Sequence, residues 1–207
     1  MYIPSHDEFI DGINAYEQRE RRGPVYFEAL RLIRDGWGDS GEMAEGIGRL
    51  LRSWHMGFYH FGMYDSGDLH GCISNHMSKV NAFRDRSIDS FGPEDEDAVA
   101  LLFSEFTRAL RGGKSKKESG TATAKALHLL APGFMPLWDD RISFEYGYVF
   151  RSADGYTGFC GQMKELCAGV AAYVAQPDDR TVLKRVDEFN YSAFTKEWAT
   201  INCGRLA

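Results

Sequence analysis

Two adjacent carboxylates, Asp139 and Asp140, are the side chains of this sequence best placed to do chemistry. They follow an apolar segment, residues 134–138, and they stand where a new helical pattern begins. A carboxylate fixed in a dry site can stabilise a developing positive charge and can orient an attacking water. An acidic residue at this position can also be simply an N-cap, because its oxygen accepts a hydrogen bond from a free helix amide. Both roles are open for each aspartate.

A lysine-rich stretch precedes the two carboxylates. Between Arg108 and Lys125 the chain carries six basic residues and one acidic residue, although its overall net charge is −6. Phosphate binding depends on a local basic patch and not on total charge. Lys114, Lys116 and Lys117 are therefore candidates for contact with a nucleic-acid backbone. The alternative is an ordinary solvated loop.

Helices are the elements that must position these residues, since apolar side chains recur at helical spacing along most of the chain. The strand candidates are two short segments, residues 134–138 and 146–151. We predict an all-α fold. Its helices are expected to begin near Ser5, Pro24, Asp39, Asp68, Pro93, Thr121, Asp139, Tyr156 and Thr181.

The composition suits one helical domain, with a groove between two lobes as a natural arrangement. The chain has 207 residues, of which 43% are hydrophobic and 14% aromatic, so a substantial core can be buried. No apolar run of about 18 residues occurs, and the first residues lack the pattern of a signal peptide. The four cysteines are scattered without a CxxC pair, which favours reduced thiols. We therefore expect a cytoplasmic protein with no membrane partner.

Residues 106–142, taken together, resemble a known family. They read as a helix, a basic loop with Gly112 and Gly113, a helix that begins at Gly120, a turn, and then Asp139. This order is similar to that of the helix–hairpin–helix DNA glycosylase superfamily, which includes the endonuclease III and 8-oxoguanine glycosylase groups. In those proteins a glycine-bearing hairpin leads into a helix, and a loop then delivers an aspartate to the start of the next helix.

The resemblance implies a two-lobed helical bundle that excises a damaged or modified base by hydrolysis of the N-glycosidic bond. The family's D-x-x-I register selects Asp139, whereas its glycine-to-acid spacing is nearer to Asp140. The position of the lysine that bifunctional members use falls on Ala122, which implies a monofunctional enzyme. Lys125, one helical turn further along, is the nearest lysine that could still act. The hairpin at residues 112–120 is longer and richer in lysine than the compact family form.

The resemblance also assigns the DNA contacts. Gly120 and Thr121 fall at a helix start, where free amides can bind phosphate beside the three loop lysines. The target base must leave the stack, so an aromatic pocket has to receive it. The candidates for this pocket are Trp54, Phe58, Tyr59, Tyr64 and Trp138. The alternative for the aromatic run at residues 54–64 is core packing at the end of a helix.

The expected partner is double-stranded DNA with a damaged or modified base, and modified phage DNA would make the protein a defence enzyme. The protein is expected to act as a monomer without metal or cofactor. One rival hypothesis is a DNA-binding module that kept this frame but lost the chemistry. Another is a metal-dependent phosphohydrolase built on His55, His60, His70 and His76, although these histidines show neither HExxH nor HxxxH spacing.

Overall fold

The computed structural model describes residues 2–60, 62–174 and 180–200. Within them the protein is all-α, as predicted, and contains no strand. The α-helices are α1 His6–Arg19, α2 Gly23–Asp35, α3 Ser40–Trp54, α4 Ser66–Phe83, α5 Glu96–Ala109, α6 Gly120–Leu130, α7 Asp140–Glu145, α8 Ala153–Val170 and α9 Val182–Asn190. A π-helical turn, Tyr191–Thr195, extends α9.

Neither strand candidate, residues 134–138 or 146–151, forms a strand. Residues 136–139 form an irregular buried connection from α6 to α7, with no neighbouring strand to pair with. Residues 146–148 fold back onto α7, because the Tyr146 amide donates to the Ile142 carbonyl and the Tyr148 amide to the Ser143 carbonyl. Their backbone groups are thus satisfied locally and do not need a ladder.

Side-chain caps explain where most helices begin. Ser5 and Glu8 form a capping box at α1, and Asp39 and Ser119 cap α3 and α6. The α4 helix begins earlier than predicted because Asp65 accepts from the Gly67 and Asp68 amides. In the same way Ser152 caps α8 ahead of the predicted start, and a 3-10 turn, Pro93–Asp95, precedes α5. Short polar side chains decide these boundaries.

The α6 helix lies inside the molecule, against α2, α3 and α5. All of its residues are buried except Lys125, which is partly exposed. Its alanines at positions 122, 124 and 126 are fully buried and leave room for the neighbouring helices. Buried apolar side chains from α1 to the C-terminal π turn form one continuous cluster around it. Of the helices that the structure describes, none has the length and apolar character to span a membrane.

His128 joins this core through two hydrogen bonds. Its Nδ1 lies 2.8 Å from the Met135 carbonyl oxygen, and its Nε2 lies 2.9 Å from the Tyr26 hydroxyl. A carbonyl oxygen only accepts, so Nδ1 carries the proton and Nε2 accepts from Tyr26. The side chain is fully buried, and this burial lowers the His128 pKa to about 4.

This buried neutral histidine predicts a loss of stability in acid. The unfolded chain binds a proton at His128 below about pH 6.5, while the native protein does not bind it until about pH 4. The free energy of unfolding should therefore fall by roughly 3 kcal/mol from this residue as the pH drops from 7 to 4. Urea unfolding of the wild type and of His128→Gln across this range measures the effect. Parallel pH curves for the two proteins would contradict it.

Candidate active site

Asp139, Lys125 and Trp54 meet at one cleft of about 320 Å³. The cleft is bordered by the ends of α1 and α3, the start of α7 and the C-terminal π turn. On α6, Thr121 and Lys125 line it. Its polar side chains include Glu20, Arg22, His55, Thr121, Asp140, Asp187 and Thr195. Two larger grooves of about 490 Å³ lie elsewhere on the surface, and neither contains Asp139 or Lys125.

Asp139 is both the N-cap of α7 and a wall of this cleft. Its Oδ1 accepts from the Ile142 amide at 2.9 Å, and its Oδ2 accepts from the Thr195 hydroxyl at 2.8 Å. Both oxygens are therefore held, one by the helix start and the other by the π turn. Burial raises the pKa of this carboxyl above its ordinary value, against the lowering effect of the two hydrogen bonds. Asp139 therefore caps α7, and its carboxylate also lines the cleft.

Asp140 is placed differently, although it also borders the cleft. Its side chain is exposed, and its Oδ1 accepts a hydrogen bond from the adjacent Arg141 amide. No second element orients it among the residues that the structure describes. Of the two adjacent carboxylates, Asp139 is the one fixed in a partly dry position.

Lys125 is the one residue of α6 that is not buried, and it faces the cleft. Its Nζ donates to the Trp54 carbonyl oxygen at 3.0 Å. Burial lowers the Lys125 pKa to about 8, and the Asp139 carboxylate opposes this lowering. At neutral pH the amine is therefore mostly protonated and is a cation beside the fixed carboxylate.

The predicted aromatic pocket separates into two groups. Trp54 and Trp138 line the cleft with Asp139. Trp54 is partly exposed and stacks on Tyr26, with ring centroids 6.1 Å apart. Trp138 is nearly fully buried, and its Nε1 has no hydrogen-bond partner among the described residues.

The other three aromatic candidates do not line this cleft. Phe58, Tyr59 and Tyr64 pack on one another after α3 ends, and the Tyr59 hydroxyl donates to the Leu110 carbonyl oxygen at 2.8 Å. The chain turns sharply at residues 55–60, and this turn carries these rings beneath the loop that follows α5. For Tyr59, the alternative of core packing describes its position, since its side chain is only 3% exposed.

The lysine loop leads directly into α6. Lys114, Lys116 and Lys117 are exposed, and the loop is closed by a 2.8 Å hydrogen bond from the Gly112 amide to the Lys117 carbonyl. The Gly113 amide also donates to the Met63 carbonyl, and a Cβ on Gly113 would clash with that oxygen. The loop therefore has a defined shape with its lysines in solvent.

The start of α6 connects this loop to the cleft. Ser119 caps the helix, and its hydroxyl lies 2.7 Å from His55 Nε2. Gly120 is buried against Phe150, where a Cβ would come within 3.2 Å of the ring. Thr121 is the first residue of α6 that reaches the cleft, one turn before Lys125. Burial, reinforced by the charge of Lys125, lowers the His55 pKa to about 3, so this histidine is neutral at ordinary pH.

Several cleft residues were not anticipated from the sequence. Thr195 reaches Asp139 from the π turn, and π-helical turns are rare and occur often at functional sites. Arg22 donates to Glu20 and to the Tyr191 hydroxyl across the mouth of the cleft. None of these residues belongs to a recognisable motif. In the sequence they stand out only as polar residues next to the apolar residues of a helix face.

The histidines are not assembled into a metal centre. No group of three or more His, Cys, Asp or Glu side chains with metal-binding geometry occurs in residues 2–60, 62–174 and 180–200. His55 pairs with Ser119, His70 lines a separate groove, and His76 Nε2 lies 3.9 Å from a Glu105 oxygen. The phosphohydrolase hypothesis requires a shared metal site, and these three histidines do not form one.

Neither a family model, nor a curated protein, nor a solved structure matched the chain. The resemblance of residues 106–142 to helix–hairpin–helix DNA glycosylases thus remains a prediction from the sequence.

Substitution of Asp139 should separate its capping role from its charge. Asparagine caps helices about as well as aspartate, whereas alanine costs about 1 kcal/mol. The buried carboxyl has a raised pKa, so its ionised form destabilises the native state at neutral pH. We expect Asp139→Asn to melt at or above the wild-type temperature at pH 7 and Asp139→Ala to melt below it. Equal destabilisation by both variants in thermal unfolding would show that the charge itself stabilises the fold.

Proposed function

We propose that this protein is a monofunctional DNA glycosylase, which excises a damaged or modified base from double-stranded DNA. The observation that carries the proposal is the position of Asp139. Its two oxygens are held by Ile142 and Thr195 in a cleft that also contains Lys125, and the helix of Lys125 begins at the end of the lysine loop. Within the segment that resembles the glycosylase superfamily in sequence, α6, the connection after it and the start of α7 line this cleft.

The chemistry assigned to Asp139 is stabilisation of a sugar cation and activation of water. The bond between the base nitrogen and C1′ breaks, and its electron pair leaves with the base, which takes up a proton. Positive charge then develops on the sugar, where a fixed carboxylate stabilises it. Water attacks C1′ and passes a proton to the Asp139 carboxylate, which later releases it to solvent. The products are the free base and an abasic site in an unbroken strand.

Thr195 and Ile142 act as positioning residues for this carboxylate. Each donates one hydrogen bond to a different Asp139 oxygen, which fixes the plane of the carboxylate before substrate arrives. Fixed orientation avoids a reorganisation cost during the reaction. The burial that raises the Asp139 pKa also makes this group a better proton acceptor than an exposed aspartate.

Lys125 is assigned a supporting role in this proposal. Its amine donates to the Trp54 carbonyl, and its protonated form can attract the phosphates that flank the extruded nucleotide. The lowered Lys125 pKa also increases the fraction of neutral amine, so the pKa does not by itself exclude nucleophilic attack on C1′. The assignment of hydrolysis over lyase chemistry rests on Ala122, which stands at the position of the family's lysine.

Trp54 supplies the exposed aromatic surface that an extruded base requires. Its ring lines the cleft beside Lys125, and stacking on an aromatic ring contributes to the binding of every base. A cleft of about 320 Å³ lies at the lower end of small-ligand pockets and suits a single base with its sugar.

The first test is release of a base in the absence of added metal. The purified protein is incubated with duplexes that carry oxidised, alkylated and phage-type modified bases, and free base is measured by mass spectrometry. We expect release with an alkali-labile but intact strand, and a loss of at least about a hundredfold for Asp139→Asn. Asp140→Asn is the matched control. It should release base at nearly the wild-type rate, because the Asp140 side chain is exposed and accepts a hydrogen bond only from the adjacent Arg141 amide. No release from any duplex, with DNA binding retained, would favour the non-catalytic DNA-binding module instead.

Charge reversal in the lysine loop tests DNA binding separately. The triple variant Lys114/Lys116/Lys117→Glu should bind duplex DNA more weakly. The slope of log affinity against log salt concentration should become shallower by about 0.9 for each phosphate that the loop no longer neutralises. The control triple variant Arg31/Arg34/Lys79→Glu carries the same change of net charge on exposed residues of α2 and α4. Titration of labelled duplex at several salt concentrations measures both, and equal weakening in the two variants would show that only the total charge matters.

A further inference from the structure

The cleft contains a second buried carboxylate, Asp187, to which no chemical step has been assigned. Asp187 lies on α9, is 8% exposed, and lines the cleft together with Asp139 and Lys125. Its Oδ2 accepts a hydrogen bond from Lys184 Nζ at 2.7 Å. Its Oδ1 receives no hydrogen bond from the residues that the structure describes. Asp187 thus lines the cleft and has one carboxylate oxygen that no described residue holds.

Lys184 determines how Asp187 is oriented. Its ammonium group is 1% exposed and lies within 4.8 Å, 5.2 Å and 5.8 Å of the ring centroids of Tyr16, Tyr26 and Trp54. Burial alone would lower the Lys184 pKa, but Asp187 and Glu188 raise it well above its ordinary value. The lysine is therefore protonated, and its ammonium group holds the Oδ2 atom of Asp187.

Glu188 shares this lysine without sharing the cleft. Its Oε1 lies 3.3 Å from Lys184 Nζ, and its Oε2 accepts from Arg185. The side chain is 1% exposed and is not among the residues that line the cleft. Two neighbouring carboxylates thus balance the same buried cation, and only Asp187 is in a position to meet a ligand.

We propose that Asp187 is a specificity residue which accepts a hydrogen bond from an exocyclic amino group of the extruded base. An ionised carboxylate oxygen only accepts hydrogen bonds, so it attracts an amino group and repels a carbonyl oxygen at the same place. The substrate class is then modified bases that carry an exocyclic amino group, such as derivatives of adenine or cytosine, in preference to their carbonyl counterparts. The inference rests on the proposed glycosylase function, since it concerns the base that this cleft receives.

The side-chain geometry predicts what an amide at this position would do. In Asp187→Asn the amide oxygen must still face the Lys184 ammonium, because that group only donates. The amide NH₂ then takes the place of the free carboxylate oxygen and presents a donor to the cleft. The substitution should therefore reverse the preference from amino to carbonyl bases. Glu188→Gln removes the same charge from the Lys184 pair and should leave the preference unchanged.

The experiment measures the binding of free bases to the protein in complex with a duplex that carries a tetrahydrofuran abasic-site analogue. The probes are the pairs adenine and hypoxanthine, and cytosine and uracil, which differ by an amino group in place of a carbonyl group. We expect the wild type to bind the amino member about tenfold more tightly, as for a hydrogen bond to a charged group. Asp187→Asn should favour the carbonyl member, and Glu188→Gln should behave as wild type.

Equal binding of the paired bases by the wild type would overturn the inference, and this comparison needs no variant to fold. An unchanged preference in Asp187→Asn would overturn it as well. Either result combined with base release from the modified duplexes would leave the glycosylase function standing. Binding of no base, together with no release from any duplex, would remove both the inference and the proposed function.

Discussion

The burial of α6 is the constraint on which the candidate site depends. Gly120 and the alanines of this helix are buried against α2, α3, α5 and the segment at Phe150. Ser119 caps the helix where the lysine loop ends, and the buried connection that follows the helix leads to Asp139. Lys125 and, one turn before it, Thr121 are the residues of α6 that line the cleft, so they define the face of the helix that borders it.

The cleft concentrates groups whose burial is unfavourable unless each has a partner. Asp139 is held by an amide and a hydroxyl, Lys125 by a carbonyl, and Lys184 by two carboxylates. Removal of one member of a buried ion pair leaves an uncompensated charge, which is more costly than removal of the pair. These paired groups fix one another's orientation and create an electric field in the cleft, whereas the apolar core supplies the favourable free energy of folding.

The π turn after α9 links the C-terminal part of the described chain to this chemistry. It adds one residue to the helical repeat, and Thr195, its last residue, donates to Asp139. The Lys196 amide donates to the Tyr191 carbonyl and closes the turn. Because the extra residue shifts the end of the turn, a regular continuation of α9 would rotate Thr195 by up to about 100° from its present direction. The π turn therefore brings Thr195 to the Asp139 carboxylate, which is held by a second element in addition to the start of α7.

Local patterns were enough to predict the all-α class, nearly every helix, the lysine loop, and the position of Asp139 at the start of a helix. These features depend on neighbouring residues: apolar spacing, caps such as Ser5 and Asp39, and the glycines around the loop. The two strand candidates could not be decided from the sequence, because short apolar segments have the same composition whether they pair with a strand or simply cross the core.

Only the tertiary structure decided which groups share the cleft. Asp139 meets Thr195 across 56 positions of sequence, and Lys125 meets Trp54 across 71. It also separated Trp54, which lines the cleft, from Phe58, Tyr59 and Tyr64, which are close in sequence but do not line it. Periodicity reports which face of a helix is buried, but it does not specify the partner. The partner is set by how the helices pack around α6, and that packing is a property of the whole chain.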